Sequence, residues 1–168
     1  MPGFITRLKV SEPGILLAEK TYRCALGREG IGTKTKEGDG ITPVGRYALR
    51  QVFFRADRID RPQTCLPVQV IERNLGWCDD PQSPLYNQQI KKPFSANHED
   101  LWRDDALYDI IVVIGYNDDP IVPGKGSAIF MHVAKPHYEP TAGCIALSLS
   151  DLLEVLALCG PETEMEIC

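Results

Sequence analysis

The chain has no apolar run long enough to cross a membrane as a helix. Its longest runs, such as Ile110-Ile111-Val112-Val113-Ile114, are strand length, far short of the roughly 20 residues that a spanning helix needs. It has no basic excess either. Eighteen Lys and Arg against 23 Asp and Glu leave a formal net charge of −5, where a nucleic-acid binder would present a basic face. A few local arginines could still meet a polyanionic partner. No secretory signal peptide is legible ahead of the alternating segment that begins at Phe4. Retention in the cell, an export signal not carried by this chain, and another export route all fit that. The six cysteines (24, 65, 78, 144, 159 and 168) contain no C-x-x-C pair and no zinc-like spacing. A chain of 168 residues is large enough to fold without disulfide staples. Internal repeats and low-complexity tracts are also missing.

What is present describes an ordinary soluble domain. With 43% hydrophobic and 24% charged residues, residues 1–168 read as one domain with a substantial core. Phe4 to Val10, Ile15 to Leu17, Tyr22 to Leu26, Tyr47 to Phe54, Leu66 to Ile71, Tyr108 to Tyr116 and Ala128 to Val133 are strand candidates, rich in β-branched and aromatic residues. One helix is predicted after Ser148 or Ser150, which compete as N-cap. Leu149, Leu152, Leu153 and Leu156 recur at helical spacing, and Gly160-Pro161 stops the run. Met165 to Ile167 reads as a short closing strand. The expectation is a mainly β fold with few helices. Two segments fall outside this scaffold: Gly27 to Gly45, six of whose residues are glycine, reads as a mobile surface loop, and 75–105, with little periodicity, reads as an inserted lid or binding loop.

Cys144 is the candidate nucleophile. It ends Thr141-Ala142-Gly143-Cys144, and His132 precedes it at the end of the apolar run Ala128 to Met131. Gly143 permits a tight turn whose amides, its own and that of Cys144, can converge on one point as an oxyanion hole. A thiol beside a base and a fan of N–H donors suits acyl transfer through a thioester. The alternative reading is a small buried cysteine beside an internally satisfied histidine. Cys24, Cys65 and Cys159 read as core residues, Cys168 as inert, and Cys78, beside Asp79 and Asp80, as structural.

These residues together resemble the YkuD-type L,D-transpeptidase catalytic domain of bacterial cell-wall cross-linking. Its signature is His-Gly-Thr/Ser, a variable gap, then Ser/Thr-His-Gly-Cys-Ile/Val-Arg. Met131-His132-Val133 and Thr141-Ala142-Gly143-Cys144-Ile145-Ala146 stand at the two positions. Upstream, Thr42-Pro43-Val44-Gly45-Arg46-Tyr47 resembles the family's Thr-Pro-x-Gly-x-Phe/Tyr segment. Ala142 and Ala146 depart from it, standing where the family has histidine and arginine.

The resemblance implies a β-sandwich or barrel, no metal or other cofactor, and a location in the cell envelope (periplasm). It implies a cysteine peptidyltransferase that cross-links peptidoglycan stem peptides, 3→3 or 1→3. Hydrolysis by an L,D-carboxypeptidase or amidase, and non-catalytic wall binding, are the alternatives. Cys144 is then the nucleophile, His132 the base and the backbone carbonyl of Val133 the orienting acceptor, with a thiolate–imidazolium pair expected at rest. Diaminopimelate stems carry ammonium and carboxylate groups together. Arg103, Trp102, His98, Tyr86, Asn87, Thr141, His137 and Arg55 are therefore expected to contact substrate. A monomer is expected.

Overall fold

The computed structural model describes residues 3–168; Met1 and Pro2 lie outside the described residues. In chain order the strands are β1 (Ile5–Ser11), β2 (Ile15–Leu17), β3 (Thr21–Arg23), β4 (Ile31–Gly32), β5 (Thr42–Pro43), β6 (Gly45–Phe54), β7 (Val68–Val70), β8 (Leu75–Cys78), β9 (Gln89–Lys91), β10 (His98–Asp100), β11 (Ile110–Ile114), β12 (Phe130–Val133), β13 (Ile145–Leu147) and β14 (Cys159–Ile167). The one helix, α1, is Leu149–Leu158. Hydrogen bonds order the main sheet β13-β12-β11-β6-β14-β1-β2-β3, with β7 alongside β6. Just past β3, Ala25 and Ala146 of β13 exchange N–H···O bonds of 2.7 and 3.0 Å. The two ends of the sheet therefore meet, and it nearly closes into a barrel, which removes edges that would otherwise stay unpaired.

The main core takes one face of these strands, including Leu8, Val52, Val112, Met131, Ile145 and Met165. Helix α1 adds Leu152, Val155 and Leu156 to it. Ser148 is the N-cap, its side chain accepting from the Asp151 amide at 3.2 Å; such a cap is worth about 1 kcal/mol.

The opposite face of β6, β11 and β12 carries Phe53, Ile111, Val113 and Phe130 into a second core with Ile71, Leu75, Trp77, Leu101 and Tyr108. Burial on both faces explains why Ile110 to Ile114 is apolar without alternation. Each such side chain gains about 1.5–3 kcal/mol from leaving water, so the residues that cover this face are integral to the fold.

That cover is the 75–105 segment, and here the structure corrects the sequence reading. The segment is not irregular: β8, β9 and β10 form an antiparallel sheet in the order β10-β8-β9, and Trp77 stacks edge-on to Phe130 at 5.1 Å. Strands of three or four residues are too short to show a period. The 27–45 loop is likewise held, with Lys34 and Thr42 buried inside it. The closing strand is β14, nine residues long and central, parallel to β1 and antiparallel to β6. Pro161 is accommodated because the β1 pairing jumps from Ile5↔Cys159 to Arg7↔Glu164, a bulge. Cys65 is exposed and not a core residue.

Asn87 joins the two layers. It accepts from Trp77 Nε1 and the Ala128 amide, both at 3.0 Å, and donates to the Tyr116 and Asn117 carbonyls. It is a buried strut rather than the expected substrate contact. Asn87→Ala should destabilise the protein by about 2–4 kcal/mol, since it strands several buried polar groups. Urea denaturation of the variant against wild type measures this.

Candidate active site

Strand register brings the two candidate residues together. β12 and β13 run parallel with Met131 opposite Ile145 and His132 opposite Ala146. Cys144 immediately precedes β13, so it lies across from Phe130, whose amide donates to Sγ at 3.4 Å. The thiol itself donates to the Ala128 carbonyl at 3.3 Å. Side chains alternate along a strand, which puts Phe130, His132, Cys144 and Ala146 on the face away from the main core.

The turn before Cys144 is fastened from within and from below. The Thr141 hydroxyl donates to the Cys144 carbonyl at 2.7 Å and accepts from the Gly143 amide at 3.0 Å. Gly143 has φ +140°, and a Cβ there would fall 2.8 Å from the Ile41 carbonyl oxygen, so no other residue fits. Beneath it, the Thr42 hydroxyl donates to the Gly143 carbonyl at 2.9 Å and accepts from the Gly27 amide at 2.8 Å. The Thr-Pro segment thus supports the cysteine turn directly. Because Thr141 takes the Gly143 N–H, that amide is not the free oxyanion donor expected. Among the described residues the amides of Ala142 and Cys144 have no acceptor.

His132 Nδ1 lies 2.9 Å from the Val133 carbonyl oxygen. With Nδ1–H donating there, Nε2 carries the lone pair, the tautomer a base requires. Burial lowers the His132 pKa to about 4, against the opposing Val133 hydrogen bond. Burial also pushes the Cys144 thiol up to about 12; Glu99 adds to this, whereas the Phe130 amide and Lys34 oppose it. Burial therefore favours the neutral thiol and the neutral imidazole over the thiolate–imidazolium pair expected. No hydrogen bond joins Sγ to His132 among the described residues, so proton transfer requires the thiol to leave the Ala128 carbonyl.

Cys144 and His132 open into a cavity of about 450 Å³, whose wall includes Thr141, Ala142, Ala146 and Tyr108. The two alanines leave room where the family has larger basic side chains. Of the residues expected to contact substrate, Thr141 and Arg103 line this cavity. The others do not. Tyr86 is buried, its hydroxyl on Glu37. Arg55 stacks 3.5 Å over the Trp102 ring and pairs with Asp57, so this couple is scaffold. His98 is turned to the Ala96 carbonyl and Asp100, and His137 is exposed on its loop. Sequence reasoning missed Lys34, Glu37, Tyr108 and Ser127, all on the cavity wall. Their signal is tertiary: Glu37 is held there by Tyr86 and by Ser127 Oγ at 2.7 Å. Burial raises the Glu99 carboxyl, partly offset by the Tyr108 hydroxyl that donates to it.

The depressed His132 pKa fixes a sign. Between about 6.5 and about 4 the unfolded chain binds a proton at this residue that the folded protein refuses. Stability therefore falls as pH drops through that window, by up to about 3 kcal/mol from this residue. His132→Gln should flatten that part of the profile, read as the difference between the two proteins' denaturation midpoints from pH 7 to 4.

The family model of the YkuD L,D-transpeptidase catalytic domain matches residues 8–167. No curated protein and no solved structure matches the chain significantly. The family match spans β1 to β14 and includes the Thr-Pro segment, the histidine strand and the cysteine turn. On that match, and with a barrel-like sheet that carries these elements to one cavity, the chain belongs to the YkuD family of L,D-transpeptidase catalytic domains.

Proposed function

We propose that the protein cross-links peptidoglycan stem peptides in the cell envelope by acyl transfer through a Cys144 thioester. The observation that carries this reading is the shared cavity of Cys144 and His132, with Nδ1 fixed by Val133 and the Nε2 lone pair left free. Substrate entry displaces the thiol toward Nε2, which takes its proton as Sγ attacks the scissile carbonyl. The Cys144 amide stabilises the oxyanion, a contribution of about 3–4 kcal/mol for one such donor. The amide C–N bond breaks, the imidazolium returns its proton to the leaving amine, and a thioester remains. An acceptor amine then attacks, giving its proton to His132, and the thiol is regenerated as the new amide forms. A neutral imidazole suits this sequence, because it starts each half-reaction able to accept a proton.

The insertion supplies Asp79, Glu99 and Arg103 to the cavity, both charges that a diaminopimelate stem requires. The product is a 3→3 or a 1→3 link, with water as a competing acceptor.

Cys144→Ala should abolish cross-linked muropeptides and leave the melting transition in place, and His132→Gln should slow formation by about two or more orders of magnitude. Muropeptide mass spectrometry reads both, and separates cross-linked dimers from hydrolysed stems; dimers persisting in Cys144→Ala would overturn the reading. Arg103→Ala should raise KM or lower kcat/KM for stem peptides about tenfold or more. Trp102→Ala, outside the cavity, should act on stability alone. Steady-state kinetics beside thermal melts distinguish the two.

A further inference from the structure

Lys34 has no place in the mechanism above, yet it is one of the least exposed charges in the protein. Its side chain is 3% exposed and that of its partner Asp39 is 6%. Nζ donates to Asp39 Oδ1 at 2.6 Å and to the Ile41 carbonyl at 3.0 Å. Asp39 in turn accepts from the amides of Thr35 and Ile41. Burial alone would raise its carboxyl, but these donors bring it down to about 2. The Asp39 carboxyl is therefore a carboxylate at any working pH. An ammonium has three donors; two are used, and the residue lines the catalytic cavity. The lysine stem passes so close to Gly126 that a Cβ there would lie 2.7 Å from Cε, and Nζ lies 3.4 Å from the Cβ position of Gly143. Holding a cation in such a place is costly unless it is paired, and a loop needs no lysine merely to close.

We propose that Lys34 is an electrostatic positioning residue that favours the thiolate of Cys144, its ammonium clamped by Asp39 and the Ile41 carbonyl at the flank of the cysteine turn. Besides Cys144, the other titratable groups on the cavity wall are His132 and Tyr108, the carboxyls of Glu37, Asp79, Glu99 and Glu139, and the cations Arg103 and Lys135. Glu99 acts on the thiol in the opposite sense to Lys34. With Ala142 and Ala146 carrying no charge, Lys34 is a cation set against the cysteine turn, its Nζ 3.4 Å from where a Gly143 Cβ would stand. A cation near a thiol lowers the free energy of its anion, and with it the barrier to proton loss.

The inference rests on Cys144 being the nucleophile, and its test is separable from that reading. The rate of iodoacetamide alkylation at Cys144 is followed by peptide mass spectrometry, which also resolves the exposed Cys65 and Cys168. Below the thiol pKa this rate scales with the thiolate fraction. Lys34→Met should slow Cys144 alkylation about tenfold at pH 8, the effect of about one unit in pKa, leaving Cys65 and Cys168 unchanged. Asp39→Asn keeps an acceptor oxygen for Nζ but removes the countercharge, so it should speed the same reaction. The opposite signs identify an electrostatic role. Equal slowing in both variants would mean that the ion pair only shapes the loop, and would overturn the proposal, as would no change in either. If Lys34→Met does not fold, the acceleration in Asp39→Asn still decides. A protein that cross-links through Cys144 with a rate indifferent to both substitutions would overturn this inference alone.

Discussion

The Thr42 hydroxyl, fully buried, accepts from the Gly27 amide and donates to the Gly143 carbonyl. It thereby ties together three stretches of chain: the segment that closes the barrel, the entry to β6 and the turn that carries the thiol. A buried hydroxyl without these partners costs energy, and so do an amide and a carbonyl left in its place. The arrangement is stable only as a set. It also fixes the height of Gly143, and with it the direction in which Cys144 leaves the turn. Barrel closure by Ala25 and Ala146 lies one residue beyond Ile145, so the scaffold is fastened where the chemistry needs it rigid.

The same fastening buries the reacting groups, and burial sets their protonation. In water a cysteine and a histidine in contact would share a proton at neutral pH. Under the insertion, each is held in its uncharged form, with Glu99 and Lys34 pulling the thiol in opposite directions. In the proposed mechanism, activation then belongs to the arrival of substrate, which moves the thiol off the Ala128 carbonyl. A thiol held this way is shielded from adventitious reaction.

The strands were legible where the β-branched runs are long, as in β6 and β11, and α1 was legible from its leucine spacing and the Ser148 cap. Cys144 and His132 were legible because their motifs are local. The three-stranded insertion was not, since its strands are short and polar residues face the cavity. β14 was hidden by Gly160-Pro161, which stops the helix but also sits in a bulge of the following strand. Lys34 had no legible role: in a glycine-rich loop a lysine reads as solvated, and only the fold shows it at 3% exposure. Trp102 and Arg55 read as binding residues by composition, yet they stack on each other; composition does not say which way a side chain faces.

The second core has a consequence for how such a domain can change. Because β8 to β10 cover Phe53, Ile111, Val113 and Phe130, the insertion is not a detachable cassette. Excising it, or grafting in a shorter one, would lay bare a broad apolar sheet face, the kind of surface that drives association between copies. Change that keeps this cover intact is confined to single side chains on the cavity wall, Asp79, Glu99 and Arg103 among them. Such substitutions alter the charge of the cavity one residue at a time while the barrel below stays the same.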